Sequence, residues 1–220
     1  MAPLPDESGA GRQPALTRVT LLHGVRELAA RDQGLARIIE RHGPPPLWAR
    51  PRGFPTLVRI VLEQQVSLAS AAAVYERLER TLSGGVTPAS VLAAGHGGLR
   101  TLGLTRQKAA YVVALAEQVA TGTLPLASLG RLPDERAAEL LIGVPGIGPW
   151  TASIYLLMAL RRPDVWPPGD LALHKSLALL RPRRAIPTSE EARAFAARWR
   201  PWRAVAARIL WHGYLGERAA

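Results

Sequence analysis

The sequence predicts an all-α protein. In segment after segment, apolar residues recur at spacings of three and four, the period of a helix face. Alternating β-branched runs and Asn-Gly turns, the signs of strands and hairpins, are nearly absent. Clusters of Gly, Pro and Ser punctuate the periodic stretches. The 220 residues suit one large domain, or two small lobes around a shared cleft.

Val19–Ala30 and Gly34–Arg41 read as short amphipathic helices, and His42-Gly43-Pro44-Pro45-Pro46 breaks the second. Phe54–Val66 carries Leu57, Val58, Val61 and Leu62 on one helical face. Ser67 reads as the N-cap of Leu68–Leu82, which Ser83-Gly84-Gly85 ends. Thr105–Ala120 puts Tyr111, Leu115 and Val119 on one side. Pro133-Asp134-Glu135 opens the next helix with acids at the positive end of its dipole, and Gly143 closes it. Trp150–Leu160, Leu171–Leu180, Ser189–Trp199 and Pro201–Tyr214 complete the series.

The chain has no cysteine, which excludes disulfides, cysteine nucleophiles, iron–sulfur clusters and cysteine-ligated zinc. A cytoplasmic location fits that composition. Met1–Ala15 is rich in Pro, Gly and polar residues and lacks the apolar core of a signal peptide; a disordered tail is expected there. No stretch approaches the roughly 18 uncharged apolar residues of a membrane span. Lys and Arg number 28 against 17 Asp and Glu, a net charge of +11. Such an excess favours a polyanion, and DNA, RNA and an anionic membrane all qualify. Only Lys108 and Lys175 are lysines, so the charge is nearly all Arg, a bias that a GC-rich genome also produces. His23, His42, His96 and His212 show no paired ligand spacing, so zinc is not expected.

Three segments carry candidate chemistry. Val144-Pro145-Gly146-Ile147-Gly148-Pro149-Trp150 lies between two helices. Its glycines permit a tight turn, and the N–H groups there and at the helix start can hold a phosphate oxygen without reading sequence. An ordinary helix–helix turn can look the same. Trp166-Pro167-Pro168-Gly169-Asp170-Leu171 is a rigid segment that delivers Asp170 to a helix start. Taken alone, Asp170 is a plain N-cap; taken functionally, it is a fixed anion able to stabilise a cationic sugar or orient water. Trp199-Arg200-Pro201-Trp202-Arg203, running into Trp211, interleaves indoles with Arg. That composition suits stacking on bases and gripping phosphates, and suits a core equally well.

In order and spacing, these segments resemble one family. Leu141-Ile142-Gly143-Val144-Pro145-Gly146-Ile147-Gly148-Pro149-Trp150-Thr151-Ala152 resembles the helix-hairpin-helix of the HhH-GPD DNA glycosylases. Asp164-Val165-Trp166-Pro167-Pro168-Gly169-Asp170 resembles that superfamily's Gly/Pro-rich loop with its terminal catalytic Asp. Ile60–Ser67 resembles the junction that reaches the minor groove at the lesion. Trp199–Arg203 with Trp211 resembles the closing helix of the 3-methyladenine DNA glycosylase II branch. The resemblance runs from about Ala15 to Leu215.

The resemblance implies a two-lobed fold with a central cleft, in which residues 16–220 form the glycosylase domain, about 55–160 making one lobe and the two chain ends the other. It implies base excision repair of damaged double-stranded DNA by a monomer, with no required cofactor. Asp170 would be the catalytic carboxylate. Trp150 stands where bifunctional relatives carry a Schiff-base lysine, which implies hydrolysis without strand cleavage. Trp150 and Trp211 would wall the base pocket and favour cationic, N-alkylated purines such as 3-methyladenine. Ile154 and Leu171 replace pocket tyrosines of a close relative. Gln64 or Gln65 would be the wedge, while Gly146 and Gly148 would hold a phosphate. A Na+ or K+ ion would sit on the carbonyls of Ile142, Val144 and Ile147. His174, one turn past Asp170, is expected as an exposed histidine, and Asp164 as a structural cap. Glycosylases for deaminated or oxidised bases, and a non-catalytic DNA-binding module, stay open as alternatives.

Overall fold

A computed structural model describes residues 14–180 and 185–219; of the predicted tail, residues 1–13 lie outside the described residues. Among the described residues the secondary structure is helical throughout. The helices are α1 (Arg18–Arg31), α2 (Gln33–His42), α3 (Phe54–Glu63), α4 (Leu68–Thr81), α5 (Pro88–Thr101), α6 (Arg106–Ala120), α7 (Asp134–Ile142), α8 (Pro149–Met158), α9 (Leu171–Leu180), α10 (Ser189–Ala196) and α11 (Arg203–Ala219).

Two apolar cores organise them. The first gathers residues of α3 to α8, among them Leu57, Ile60, Leu78, Val112, Leu115 and Leu141. Helix α3 is the clearest contributor: Phe54, Leu57, Val58, Ile60, Val61 and Leu62 are all buried. Each such side chain adds about 1.5–3 kcal/mol of burial free energy. The second core joins the two chain ends, with Leu28 and Leu35 meeting Leu173, Leu177, Trp199, Val205 and Leu210. Helix α8 serves both: Leu156 packs into the first core and Leu157 into the second. The partly buried Trp211 packs against both.

Polar clamps hold the second core. Asp32 caps α2, accepting from the N–H groups of Gly34 and Leu35, and its other oxygen accepts from Trp199 Nε1 at 2.8 Å. Trp202 Nε1 donates to Glu27 at 2.8 Å. Trp199 is 1% exposed, so two of the indoles with base-stacking composition are structural. Arg208 is fully buried and donates to the carbonyls of Leu47, Ala204 and Leu157, joining the α2–α3 loop to α8 and α11. Desolvation pushes its pKa down to about 9.

Helix α5 has no counterpart in the sequence reading. Its start is well marked: Thr87 and Ser90 form a capping box, and Pro88 stands at the first helical position. Gly95, Gly97 and Gly98 hide the rest, and Gly95, at φ +59°, kinks the helix. Helix α3 also stops earlier than its periodicity suggests, at Glu63, leaving Gln64 and Gln65 in a turn.

Candidate active site

Asp170 immediately precedes α9. Its Oδ1 accepts from the Leu173 N–H at 2.9 Å, the bond of an N-cap. Two further donors are aimed at the same carboxylate, and a cap requires neither. Trp150 Nε1, from the first turn of α8, donates to Oδ2 at 2.9 Å. Trp211 Nε1, from α11, donates to Oδ1 at 3.1 Å. Three helices thus converge on one half-buried carboxylate. The sequence suggested indole faces around this site and gave no sign of N–H groups pointed at Asp170.

Asp164, the other carboxylate of the loop, is taken up by Arg203: its oxygens accept from the Arg203 backbone N–H, Nε and Nη2 at 2.9–3.1 Å. His174 corrects the sequence expectation. It is 8% exposed, and among the described residues its Nε2 has no hydrogen-bond partner. The packing of neighbouring helices covers it. Ile154 is also corrected as a pocket wall: it is 3% exposed and packs within the first core. Leu171 is exposed beside Asp170.

On the neighbouring face, the turn between α7 and α8 forms a hairpin. Gly146 sits at φ +84°, and a Cβ there would run into the Tyr111 ring, so the glycine permits both the turn and the close approach of α6. Val144 O accepts from the Ile147 N–H at 3.0 Å, closing the turn. Gln64 reaches across to it, its Nε2 donating to Gly146 O and Thr151 Oγ1, both at 2.9 Å. Lys108 Nζ donates to the carbonyls of Leu62 at 2.6 Å and Gln64 at 2.9 Å, satisfying the end of α3. Desolvation pushes the Lys108 pKa down. Gln64 is therefore committed to the hairpin. Gln65, the next residue, stands exposed at φ +57° at the tip of the turn. A polar cavity of about 480 Å³ lies between this turn and the hairpin, lined in part by Gln65, Gln107, Lys108 and Tyr111.

A second, apolar cavity of about 350 Å³ lies against Trp211 and is lined by Trp48, Leu68, Met158 and Leu215. Trp48 lies in a loop without periodicity, so no local sequence pattern marks it.

Residues 58–201 match the family described as HhH-GPD superfamily base excision DNA repair protein. The chain belongs to that family. Its members include relatives of similar sequence. The chain is 32% identical over 165 residues to DNA-3-methyladenine glycosylase 2 of Escherichia coli, covering 70% of this chain and 55% of the relative. It is 31% identical over 137 residues to a DNA-3-methyladenine glycosylase of Bacillus subtilis, covering 62% and 41%. The chain thus spans about half the length of these curated relatives. Among solved structures, the 3-methyladenine DNA glycosylase of Schizosaccharomyces pombe in complex with abasic DNA superposes with a TM-score of 0.74 at 25% identity, covering 86% of this chain and 95% of that one. A Clostridium acetobutylicum 8-oxoguanine glycosylase/lyase shares the fold alone, with a TM-score of 0.74 at 14% identity. The two-lobed helix-hairpin-helix glycosylase fold implied by the four sequence segments is the fold of this HhH-GPD protein.

Proposed function

We propose that this protein is a monofunctional DNA glycosylase of base excision repair, acting as a monomer, that flips N-alkylated, cationic purines such as 3-methyladenine out of double-stranded DNA and hydrolyses their bond to the sugar. The observation that carries the reading is Asp170, a carboxylate fixed by three N–H donors from three helices. In the reaction the bond between C1′ and the base nitrogen breaks, and its electron pair leaves with the base. A cationic base departs neutral, so no strong general acid is required. The sugar passes through an oxocarbenium-like state, which a fixed anion stabilises. Water then adds to C1′ and gives up a proton, with Asp170 placed to orient it.

By its resemblance to the family's hairpin, Trp150 stands where bifunctional relatives carry a Schiff-base lysine, and an indole cannot form a Schiff base. The reading therefore assigns no lyase step. Gln65 would fill the space left by the flipped base, held in place by the Gln64 and Lys108 bonds behind it. The N–H groups around Gly146 and Gly148 would take a phosphate oxygen. The carbonyls of Ile142, Val144 and Ile147 are hard oxygen donors on one short turn, a donor set that suits Na+ or K+. When bound there, such an ion would add positive charge beside the phosphate.

Incubation with duplex DNA treated with a methylating agent tests the reading. Release of methylated purines with an intact backbone is expected. Strand breaks formed at the rate of base release would contradict the monofunctional assignment, and no release would contradict the alkyl-base assignment.

A further inference from the structure

The apolar cavity beside Trp211 has a second aromatic wall, and resting on the glycosylase reading above, we infer that Trp48 is a specificity residue that contacts the flipped cationic base there. Four observations converge on it. First, Trp48 is a half-buried indole in the cavity lining, where a core tryptophan would be covered. Its ring centroid lies 6.4 Å from that of Trp211, and the planes meet at 68°, so the two indoles form a corner. A base lying flat on either ring presents its rim to the other. The rim of an N-alkylated purine carries the cationic charge, and an indole face attracts cations.

Second, the cavity and the carboxylate share Trp211. The same indole that walls the cavity donates Nε1 to Asp170, so a base against that ring rests on the side chain that also holds the carboxylate. The volume of about 350 Å³ falls within the range of small-molecule sites.

Third, the backbone of Trp48 is held in an uncommon conformation. Its φ is +46°, in the left-handed region that a bulky residue adopts only when its surroundings impose it. They do so on both sides. Leu47 O accepts from the buried Arg208 Nε at 2.9 Å, and the Arg50 N–H donates to Met158 O at 3.0 Å. The loop is pinned to α8 and α11, the helices that supply Met158 and Trp211.

Fourth, the charge of the lining is compatible with a cation. Arg50 is the only cationic residue of this lining, and its Nη1 is paired with Glu63 at 2.9 Å. The remaining lining is Ala49, Leu68, Met158 and Leu215 beside the two indoles. It offers no anion, so selection for positive charge falls to the aromatic faces.

The test compares wild type with Trp48→Phe and Trp48→Leu. Each is given a duplex carrying a single 7-methylguanine for single-turnover release, and a duplex carrying a tetrahydrofuran abasic analogue for binding. The second duplex has no base to stack. Trp48→Phe is expected to release base within about threefold of wild type, and Trp48→Leu at least tenfold more slowly, both with unchanged abasic-duplex affinity and thermal unfolding. Trp48→Leu releasing base as fast as Trp48→Phe would overturn the inference. Equal loss of release and abasic-duplex binding in Trp48→Leu would overturn it too, in favour of a structural role. A wild type that binds the abasic duplex yet releases no methylated base would instead bring down the glycosylase reading, and this inference with it.

Discussion

Replacing Trp150 with phenylalanine keeps an aromatic ring on α8 and removes the one N–H that, among the described residues, is aimed at Asp170 Oδ2. A hydrogen bond to a charged group contributes about 1.5–3 kcal/mol. If that bond positions the carboxylate for the reaction, single-turnover release of a methylated purine falls about ten- to a hundredfold in Trp150→Phe, since 1.36 kcal/mol is a factor of ten. An unchanged rate would show that Trp150 serves only as a wall. At this scale the sequence was half legible. A Pro-Pro-Gly segment ending in Asp at a helix start marks Asp170 as a cap. The indole donors come from residues 20 positions before it and 41 after it, and no local pattern encodes their direction. Ile154 and His174 were misjudged for the same reason. Both look available on their own helices, and only the packing of neighbouring helices buries them.

Among the elements, the hairpin was the most legible because its constraints are local. Two glycines, a proline at the first position of α8 and a flanking helix on each side can be read directly. Less visible is what the hairpin rests on. Tyr111 of α6 lies under Gly146, and Gln64 reaches its carbonyl from the end of α3. Gly146→Ala therefore forces a Cβ into the Tyr111 ring at a φ that costs a non-glycine residue about 1–2 kcal/mol even without a clash. Both the melting temperature and the affinity for an abasic-analogue duplex are expected to fall, measured by thermal unfolding and fluorescence anisotropy. Wild-type affinity in the variant would contradict the hairpin's role in DNA binding. Helix α5 shows the opposite case. Its capping box and Pro88 were present in the sequence, but three glycines within four residues diluted the apolar period that the reading relied on. Apolar periodicity continues to Val66, but α3 ends three residues earlier, at Glu63, where Lys108 of α6 bonds the last carbonyls and Gln64 bonds across to the hairpin.

The whole molecule is two cores joined through α8, with Asp170 held from both sides: by Trp150, which packs on the first core, and by α9, whose Leu173 lies in the second. The predicted helical class follows from periodicity, whereas the pairing of the chain ends was implied by the family resemblance. The clamps between those ends follow from neither, because they link residues more than 160 positions apart, such as Asp32 and Trp199. Asp32→Ala removes both an N-cap and a buried indole's acceptor, a loss of about 2–3 kcal/mol. For a chain of this size that lowers the melting temperature by about 5–10 °C. Base release at 25 °C should be unchanged, because the side-chain bonds of Asp32 go to Gly34, Leu35 and Trp199, none of which bonds Asp170 among the described residues. A loss of activity matching the loss of stability would show that the second lobe transmits strain to the site.

Single-turnover base release by Asp170→Asn, measured alongside its affinity for the abasic-analogue duplex, tests the central claim most directly. The substitution preserves shape and removes the charge. With Asp170 as the anion that stabilises the sugar cation, release falls by about a hundredfold or more while affinity stays near that of wild type. Release by the asparagine variant at a rate close to wild type would contradict the account, leaving Asp170 as the cap of α9 and placing the chemistry elsewhere.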